Sequence, residues 1–534
     1  MRDHGTYDAF ASHGLRAAFI LVLLVASLAP TAQAATWVPD PAFHDGLIGA
    51  DAFAGSSTRD YFGQKLVLKD GDVIAAGVVP ALSGDLGALG LVRYDSAGVR
   101  QPWSNPGANG HYGNQYVVLP NGSFNRITGV RDLIAFGSRL FVLVETERYV
   151  LGNPLENPGI HFHGYGVDVV VFGTDGSFKS ATEMDFDNED PEARTVWAGG
   201  IAAYDNGQFP AVVSLVYAGR KKIDGVERPA VRRFTVESGG TLTSAYAVQH
   251  PTFGSNCSAT THCSVFGIAL GGRSTFTTPP RIYLVGSRFS DCTGICYHGW
   301  QTTVMRVDSN AQPVTSFGSN GLGYVQFQGG SRGRAIAVSG SIGVLGEDAI
   351  YVASEVDLSC AMGIGVSKFS AEGYTVAAFG NTYGGTRYAG STAAGSTCSL
   401  QNQLGNVRDS FPTGIALNGD TVAVSSYAVG GPGVLCPVGQ PCPEDRFDGE
   451  AGVIATADGA LLSHQRYPFT DSPGGARTRH SAFHDIAAGD GGSFSLVGGV
   501  RYLETDATAA QRGRTQFGTL RIVPSPLLFR DGFE

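Results

Sequence analysis

Two glutamates occupy positions where acid–base chemistry could occur. Glu145 and Glu355 each lie at or beside the end of a short apolar segment that recurs along the chain. Two carboxylates that face a common cleft can divide the roles of general acid and general base. We therefore take Glu145 and Glu355 as the candidate acid–base pair, facing the central channel of the ring predicted below. The alternative is that Glu145 marks a strand end that reaches solvent.

Two short segments carry residues that could bind a metal ion. His161 and His163 flank Phe162, and alternation along an extended segment would place both imidazoles on one side, as half of a metal site. No third ligand is evident, so a solvated histidine pair is the alternative. The acidic run Asp185–Asp190 lacks the glycine and the distal glutamate of a calcium-binding loop and favours a solvated turn. The sequence identifies no cofactor.

One segment matches a nucleophile motif. Gly329, Ser331 and Gly333 satisfy the G-x-S-x-G pattern, which requires a strand, a tight turn and then a helix. The residues that follow, 334–338, have the pattern of a strand. The sequence therefore does not predict a serine nucleophile here.

The N-terminus predicts export from the cell. Arg2 and Arg16 precede the apolar run 17–29, and the small residues Ala32 and Ala34 precede Ala35. This arrangement is typical of a secretory signal peptide, here residues 1–34, and its apolar run is too short to span a bilayer comfortably. A retained membrane anchor is the alternative. No other segment is predicted to cross a membrane, so we expect a secreted, periplasmic or cell-surface protein.

The eight cysteines are consistent with an oxidising compartment, where they would form disulfides. Three close pairs and one remaining pair suggest sequential pairing: Cys257 with Cys263, Cys292 with Cys296, Cys360 with Cys398, and Cys436 with Cys442. A zinc site at Cys292 and Cys296 is the alternative, but no second matching pair lies nearby.

Charge and composition narrow the class of protein. The formal net charge is −10, and it stays −10 without residues 1–34, which carry two acidic and two basic residues. An acidic surface repels phosphate backbones, so nucleic acid is not an expected partner. The 75 glycines and only 16% charged residues favour many short strands joined by tight turns over long helices. We expect a monomer whose partner is an unknown extracellular ligand or protein.

One apolar segment is repeated seven times. Asp72–Gly77 is the first copy, and its last position aligns with residues at intervals of 68, 74, 67, 68, 71 and 73. The aligned residues are Gly77, Glu145, Gly219, Gly286, Ser354, Ser425 and Gly498. Repeats of this length predict a repeated structural unit rather than several unrelated domains.

Each unit is predicted to contain four short strands. In the first unit these are Leu47–Phe53, Phe62–Leu68, Val73–Val79 and Leu89–Tyr94. Several strands are apolar on both faces, so both faces must be covered. Sheets stacked radially into a closed ring meet this need and leave no exposed end. We predict an all-β protein, a seven-bladed β-propeller of four-stranded antiparallel blades over residues 36–524; an open β-solenoid or two sandwiches are the alternatives.

The repeat also resembles a known family. Leu91–Gly98, Ser316–Gly323 and the Asp72–Gly77 segment are similar to the delta-60 repeat of bacterial secreted proteins, and Pro41–Gly46 and Ala378–Gly380 resemble degraded copies of its Phe-Gly element. The resemblance covers about residues 40–523 and implies a propeller-like architecture without catalytic residues. The C-terminal tail, 525–534, resembles an export signal; an ordinary frayed terminus is the alternative.

The longest predicted loops should all emerge on one face of the ring. They are Glu147–Gly166, Ser287–Gln301, Asn381–Arg408, Tyr427–Glu450 and Gly499–Gln516, and all eight cysteines are predicted to lie in loops of this class. Binding residues concentrate on loops held by a rigid scaffold. We therefore expect a non-catalytic propeller that binds a ligand or protein through this disulfide-stapled face. The alternatives are a propeller hydrolase or lyase acting on extracellular polysaccharide, and a purely structural surface protein.

Overall fold

A computed structural model describes most of the strand-forming chain. The described residues are 37–51, 62–80, 87–103, 111–112, 124–151, 160–187, 194–207, 212–251, 257, 261–273, 275, 278–290, 300–318, 323–326, 331–340, 348–357, 362–380, 386–388, 409–429, 447–467, 469–470, 477–502 and 515–525. The predicted signal peptide and all but the first residue of the predicted tail lie outside these ranges. Within them, no helix is long and apolar enough to cross a bilayer.

The described chain forms 31 strands and two single-turn 3-10 segments, His44–Gly46 and Asp490–Gly492. In chain order the strands are β1 (Trp37–Pro39), β2 (Gly49–Asp51), β3 (Phe62–Lys69), β4 (Asp72–Pro80), β5 (Gly87–Tyr94), β6 (Arg100–Gln101), β7 (His111–Tyr112), β8 (Phe124–Phe136), β9 (Arg139–Leu151), β10 (Ile160–Gly173), β11 (Phe178–Asp187), β12 (Val196–Asp205), β13 (Val213–Ile223), β14 (Val226–Val236), β15 (Leu242–Ser244), β16 (Thr261–Leu270), β17 (Ile282–Ser290), β18 (Trp300–Val307), β19 (Tyr324–Gln326), β20 (Ser331–Ser339), β21 (Ala349–Asp357), β22 (Met362–Ser370), β23 (Thr386–Tyr388), β24 (Asp409–Asn418), β25 (Thr421–Val429), β26 (Phe447–Ala455), β27 (Leu461–Tyr467), β28 (Phe469–Thr470), β29 (Arg477–Ala488), β30 (Phe494–Tyr502) and β31 (Thr515–Pro524).

These strands form seven antiparallel sheets, which we call blades one to seven. They comprise β3–β7, β8–β11, β12–β15, β16–β19, β20–β23, β24–β27, and β28–β31 with β1 and β2. The innermost strands touch one another in a closed circuit, β3, β8, β12, β16, β20, β24, β29 and back to β3. The predicted all-β, seven-bladed propeller is therefore confirmed, with mostly four-stranded blades.

The core lies between the blades. On β13, Leu215 and Tyr217 belong to the apolar cluster shared with blade two, whereas Val216 and Ala218 belong to the cluster shared with blade four. All four side chains are buried. Successive residues of a strand point to opposite faces, so an uninterrupted apolar strand is what a blade packed on both sides requires.

The predicted repeat units begin one strand before the blades of the structure do, so this prediction is wrong by one strand. The candidate first strand of unit one, Leu47–Phe53, contains β2, but β2 pairs with β31 of blade seven, and β1 also pairs with β31. Blade one instead begins at β3. The N-terminal segment thus completes the last blade and closes the ring, with Trp37 buried in the blade-seven core.

The described strands extend into the long loops that the sequence predicted, so these loops are shorter than predicted. We call the face where the innermost strands begin the loop face, and the opposite face, with turns such as Asp70–Gly71, the turn face. The predicted loop Glu147–Gly166 is largely strand, because β9 and β10 stay paired from Leu151 with Ile160 inward. The central parts of the other long loops lie outside the described residues.

A β-bulge interrupts each innermost strand near the loop face. The bulged residues are Gln64, Thr128, Gly199, Phe266, Arg334, Thr413 and His484. The glycine at the end of the repeated apolar segment lies on the second strand of its blade, opposite this bulge. A Cβ atom at Gly286 would lie 1.7 Å from the carbonyl oxygen of Ser264, and one at Gly498 would lie 1.8 Å from that of Ala482. These two glycines leave room for the kinked backbone.

The Phe-Gly element joins neighbouring blades. Phe43, Phe317 and Phe379 are fully buried. The residue after each phenylalanine donates its backbone N–H to a turn carbonyl of the next blade: His44 to Ala97 at 3.2 Å, Gly318 to Glu372 at 2.7 Å, and Gly380 to Asp458 at 2.8 Å. The sequence motif therefore marks a contact between blades on the turn face.

Two aspartates join blades near the bulges. Asp485 accepts the backbone N–H of Leu66 at 3.1 Å, and Asp132 accepts that of Ile201 at 2.8 Å. Burial raises the pKa of both carboxyl groups, and that of Asp132 reaches about 6. Nearby Lys65 opposes the rise in both cases.

Cys257 and Cys263 form a disulfide bond. Cys263 lies within β16, so the prediction that all eight cysteines lie in loops is wrong for this residue. It is fully buried, because strand pairing continues beyond the predicted loop end. The other six cysteines lie outside the described residues, and their pairing stays a prediction.

We predict that Gly498→Ala destabilises the protein by about 3 kcal/mol, because the added methyl group would collide with the Ala482 carbonyl in a packed region. Urea unfolding followed by circular dichroism measures the change. Gly239→Ala is the matched control, because no atom lies within 4 Å of the position that its Cβ atom would take. Equal stability of the two variants would contradict the proposed role of the glycine.

We predict that Asp132→Asn becomes more stabilising as the pH rises from 4 to 8. The folded-state pKa of about 6 exceeds the ordinary value of 3.8, so the wild-type protein loses stability as Asp132 ionises in this window. Asparagine still accepts the Ile201 N–H and does not ionise. Half-burial limits the gain to about 1–2 kcal/mol. Thermal unfolding of both proteins at pH 4 and pH 8 measures the difference in stability. The exposed control Asp70→Asn should show no such trend. A pH-independent difference between Asp132→Asn and the wild type would refute the raised pKa of Asp132.

Candidate functional site

The loop-face end of the central channel gathers charged and aromatic side chains. The seven bulged residues surround the channel at equivalent positions, and we call this region the channel mouth. Six of them have side chains, and all six are half-buried or exposed. A bulge turns a side chain out of the regular alternation of a strand, which is why bulges recur beside binding sites.

Glu145 is a buried anion held by two arginines. Its side chain is 2% exposed, and its carboxylate lies 2.7 Å from Arg131 and 2.7 Å from Arg194. The backbone N–H of Ala198 donates to it at 3.0 Å. Burial raises the pKa of Glu145, but the two guanidinium groups outweigh burial and the net pKa lies below the ordinary value. Glu145 is therefore ionised at neutral pH and joins blades two and three.

Glu355 is held in the same manner on blade five. Both Nε and Nη2 of Arg334 contact one of its carboxylate oxygens, at 2.8 and 2.7 Å. The structure does not bring Glu145 and Glu355 together: they lie on blades two and five, and each is engaged by its own arginines. The geometry of an acid–base pair is not formed by these two residues.

A third ion pair lies between them on blade three. Arg220 contacts Glu227 at 3.0 Å, and the buried hydroxyl of Ser264 donates to the same carboxylate at 2.7 Å. Burial lowers the pKa of Arg220, opposed mainly by Glu227 and then Glu145. The carboxylate and the hydroxyl together fix the position of this guanidinium group.

Aromatic rings separate the guanidinium groups. The ring of Trp197 lies 5.7 Å from Arg194 and 4.5 Å from Arg220. Phe266 lies 5.2 Å from Arg220 and 4.9 Å from Arg334. These contacts are within the range of cation–π attraction, so the arginines of blades three to five are linked through ring faces.

A further arginine completes the series. Arg332 lies 4.2 Å from the Trp300 ring of blade four. We call Arg131, Arg194, Arg220, Arg332 and Arg334 the arginine arc, which extends over blades two to five at the channel mouth.

The arginine arc is locally cationic in an acidic protein. Its five arginines and the three carboxylates that hold them carry a formal charge of +2, whereas the whole chain carries −10. At Glu145 and Glu355 the arginines are the more exposed partners: Arg131 is 46% exposed and Arg334 29%, against 2% for Glu145 and 7% for Glu355. Arg220 and Glu227 are about equally exposed, at 20% and 21%. A molecule that enters the mouth beside Glu145 or Glu355 therefore meets guanidinium groups with carboxylates behind them.

The other side of the mouth carries a neutral histidine. The ring of His484 lies 6.2 Å from that of Tyr427. Burial lowers the pKa of His484 to about 4, assisted by Lys65 and Arg131. The imidazole is therefore uncharged at neutral pH and adds no repulsion toward a bound cation or anion.

The alternation that would place His161 and His163 on one side of the strand is interrupted in β10. His163 is the bulged residue between Phe162 and Gly164 of β10, so the two-residue alternation fails there. Its ring lies 5.4 Å from that of Phe186. In the described ranges, no group of three or more histidine, cysteine, aspartate or glutamate residues could hold a metal ion.

The two remaining candidate motifs have structural partners. In the acidic run, Asp185 pairs with Lys221 at 3.0 Å and Asp187 accepts a hydrogen bond from Thr195; residues 188–190 lie outside the described chain. Ser331 begins strand β20, as the strand pattern after it predicted, and its hydroxyl accepts from Thr302 at 2.9 Å. It is not the turn of a nucleophile motif.

Sequence reasoning missed the arginine arc. Arg332 lies within the G-x-S-x-G segment and Arg334 follows it directly, so the sequence contains the Arg-x-Arg spacing at a strand start. The other members come from unrelated positions in two further units. Only the ring closure brings them to one end of the channel.

A cavity lies at the opposite face, between blades one and seven. It measures about 550 Å³, and its lining includes Asp40, Asp70, Asp490, Ser495 and Arg521. Arg521 pairs with Asp40, which ties the N-terminal segment to β31. This cavity is on the turn face.

No protein-family model matches the chain, and no curated protein matches it. Similar solved structures include the Trypanosoma rangeli sialidase in complex with the inhibitor DANA, with 10% identity and a TM-score of 0.33 over 86% of this chain and 55% of that chain. Chaetomium thermophilum Sqt1 is similar with 10% identity and a TM-score of 0.36, over 89% of this chain and 98% of that one. The chain thus spans about half the length of the sialidase. These similarities concern the propeller fold alone, and membership of the delta-60 repeat family stays a prediction.

Proposed function

We propose that this protein is a secreted, non-catalytic β-propeller that binds an anionic extracellular ligand at the channel mouth of its loop face. The observation that carries the proposal is the arginine arc: partly exposed guanidinium groups from three blades, which together with the three carboxylates that contact them carry a charge of +2 in a chain of −10. A channel lined by one sign of charge concentrates the opposite charge.

The ion pairs of the arc support binding rather than proton transfer. Each carboxylate is occupied by at least one guanidinium group, and Glu145 by two. Stacking and ion pairing hold the arginine heads in fixed orientations before a ligand arrives. Such preorganisation lowers the entropy cost of binding.

We predict that the purified mature protein binds acidic glycans on a glycan array and that the double variant Arg334→Gln/Glu355→Gln binds them at least tenfold more weakly. Removing both partners leaves neither Arg334 nor Glu355 as an unpaired charge, so the fold should persist. The measurement is the apparent dissociation constant at about 0.05 and 0.3 M salt, where the wild-type affinity should fall with added salt.

The control is a second ion-pair deletion, Arg93→Gln/Asp72→Asn, on the turn face. It should bind like the wild type. Wild-type binding of neutral glycans only, or equal loss in both double variants, would refute the proposed site. Release of glycan fragments during the assay would instead favour the predicted alternative, a hydrolase or lyase.

A further inference from the structure

Arg332 differs from the other members of the arginine arc. In the part of the chain that the structure describes, the other four arginines each contact a carboxylate, but no carboxylate forms a hydrogen bond or ion pair with Arg332. Its strand partner Glu355 is instead bound by Arg334. Within the described residues, Arg332 thus lies half-buried on Trp300, near Glu355 but in direct contact with no carboxylate.

A half-buried cation that no carboxylate contacts directly is costly, and an incoming anion would offset the cost. Burial lowers the pKa of Arg332, with Glu355 opposing and Arg334 reinforcing the decrease. The guanidinium group nevertheless stays charged at neutral pH. Its planar fork suits a carboxylate, which can accept two parallel N–H bonds.

The surface beside Arg332 is aromatic. His262, Phe289 and Trp300 pair directly across β16, β17 and β18. Phe289 lies 6.4 Å from His262 and 4.8 Å from Trp300, centroid to centroid. All three side chains are half-buried. We call these three rings the aromatic row. His262, at one end of the row, accepts the Glu227 N–H at 3.4 Å, and Trp300 is at the other end.

We infer that the anionic ligand of the proposed function is a uronate-bearing oligosaccharide, and that one of its carboxylates binds the guanidinium group of Arg332. A uronate sugar combines the two features that this surface matches: a planar carboxylate for Arg332 and apolar C–H faces for the aromatic row. Adjacent strands are about 4.8 Å apart, which is comparable with the length of one sugar residue. Successive sugars would therefore meet successive rings of the row.

The test is a titration of the full mature chain with uronate oligosaccharides of four to six residues, followed by tryptophan fluorescence and calorimetry. Arg332→Gln should weaken binding ten- to hundredfold, because a charge-assisted hydrogen bond is lost. Arg332→Lys keeps the charge without the planar fork and should recover only part of the affinity. Arg139→Gln is the matched control: this arginine lies on the turn face, and among the described residues its guanidinium group donates to the backbone carbonyls of Glu237 and Ser238.

The outcomes separate this inference from the proposed function. Two results would overturn the inference while leaving anion binding at the mouth intact. One is uronate binding that is unchanged in Arg332→Gln. The other is preferential binding of a sulfated oligosaccharide or an acidic peptide over the uronate. No binding of any anion by the wild type would overturn both. Because Arg332 contacts no buried carboxylate directly, its variants should unfold at the wild-type temperature. If the glutamine variant unfolds at a lower temperature, the lysine variant provides the second measurement.

Discussion

The structure depends on blades that are apolar on both faces. In β13, alternate residues supply the cores on the two sides of blade three, with Tyr217 on one side and Val216 on the other. A sheet of this kind is stable only between two neighbours, and a row of such sheets always leaves two ends uncovered. A closed ring removes both ends. The last blade therefore takes its outer strands, β1 and β2, from the beginning of the propeller.

Ring closure also determines where the candidate site can form. The bulges lie near the loop-face end of the innermost strands and turn one residue of each strand out of the regular alternation. Arginines at and beside these positions remain partly in water, while the carboxylates that hold them are mostly covered by the neighbouring blade. A buried carboxylate is tolerated only when its hydrogen-bonding capacity is satisfied. Glu145 meets this condition with two guanidinium groups and the Ala198 N–H.

The fold was more predictable than the site, for a physical reason. The second and third strands of each blade are local apolar segments followed by turn residues, so sequence alone located β4 and β5 closely. The blade to which a strand belongs is not determined locally: no residue within Leu47–Phe53 indicates that this segment pairs with β31. The sequence also identified Glu145 and Glu355 as unusual polar residues in an apolar repeat, but their arginines lie elsewhere in the chain. The bulge at His163 similarly could not be predicted from residue types, and it removes the alternation on which the two-histidine hypothesis was based.

The charge distribution bears on the size of ligand that the mouth can accept. A charge of −10 over the whole chain repels a long polyanion, whereas the arc attracts a short one that stays within it. At physiological salt the Debye length is about 8 Å, so distant acidic residues contribute little to a ligand confined to the mouth. Added salt weakens the contact with the arc but also relieves the long-range repulsion felt by a longer chain. The two effects oppose each other only for the longer ligand. The geometry of the arc therefore favours short anionic oligomers, or the end of a chain, over the middle of an extended polymer.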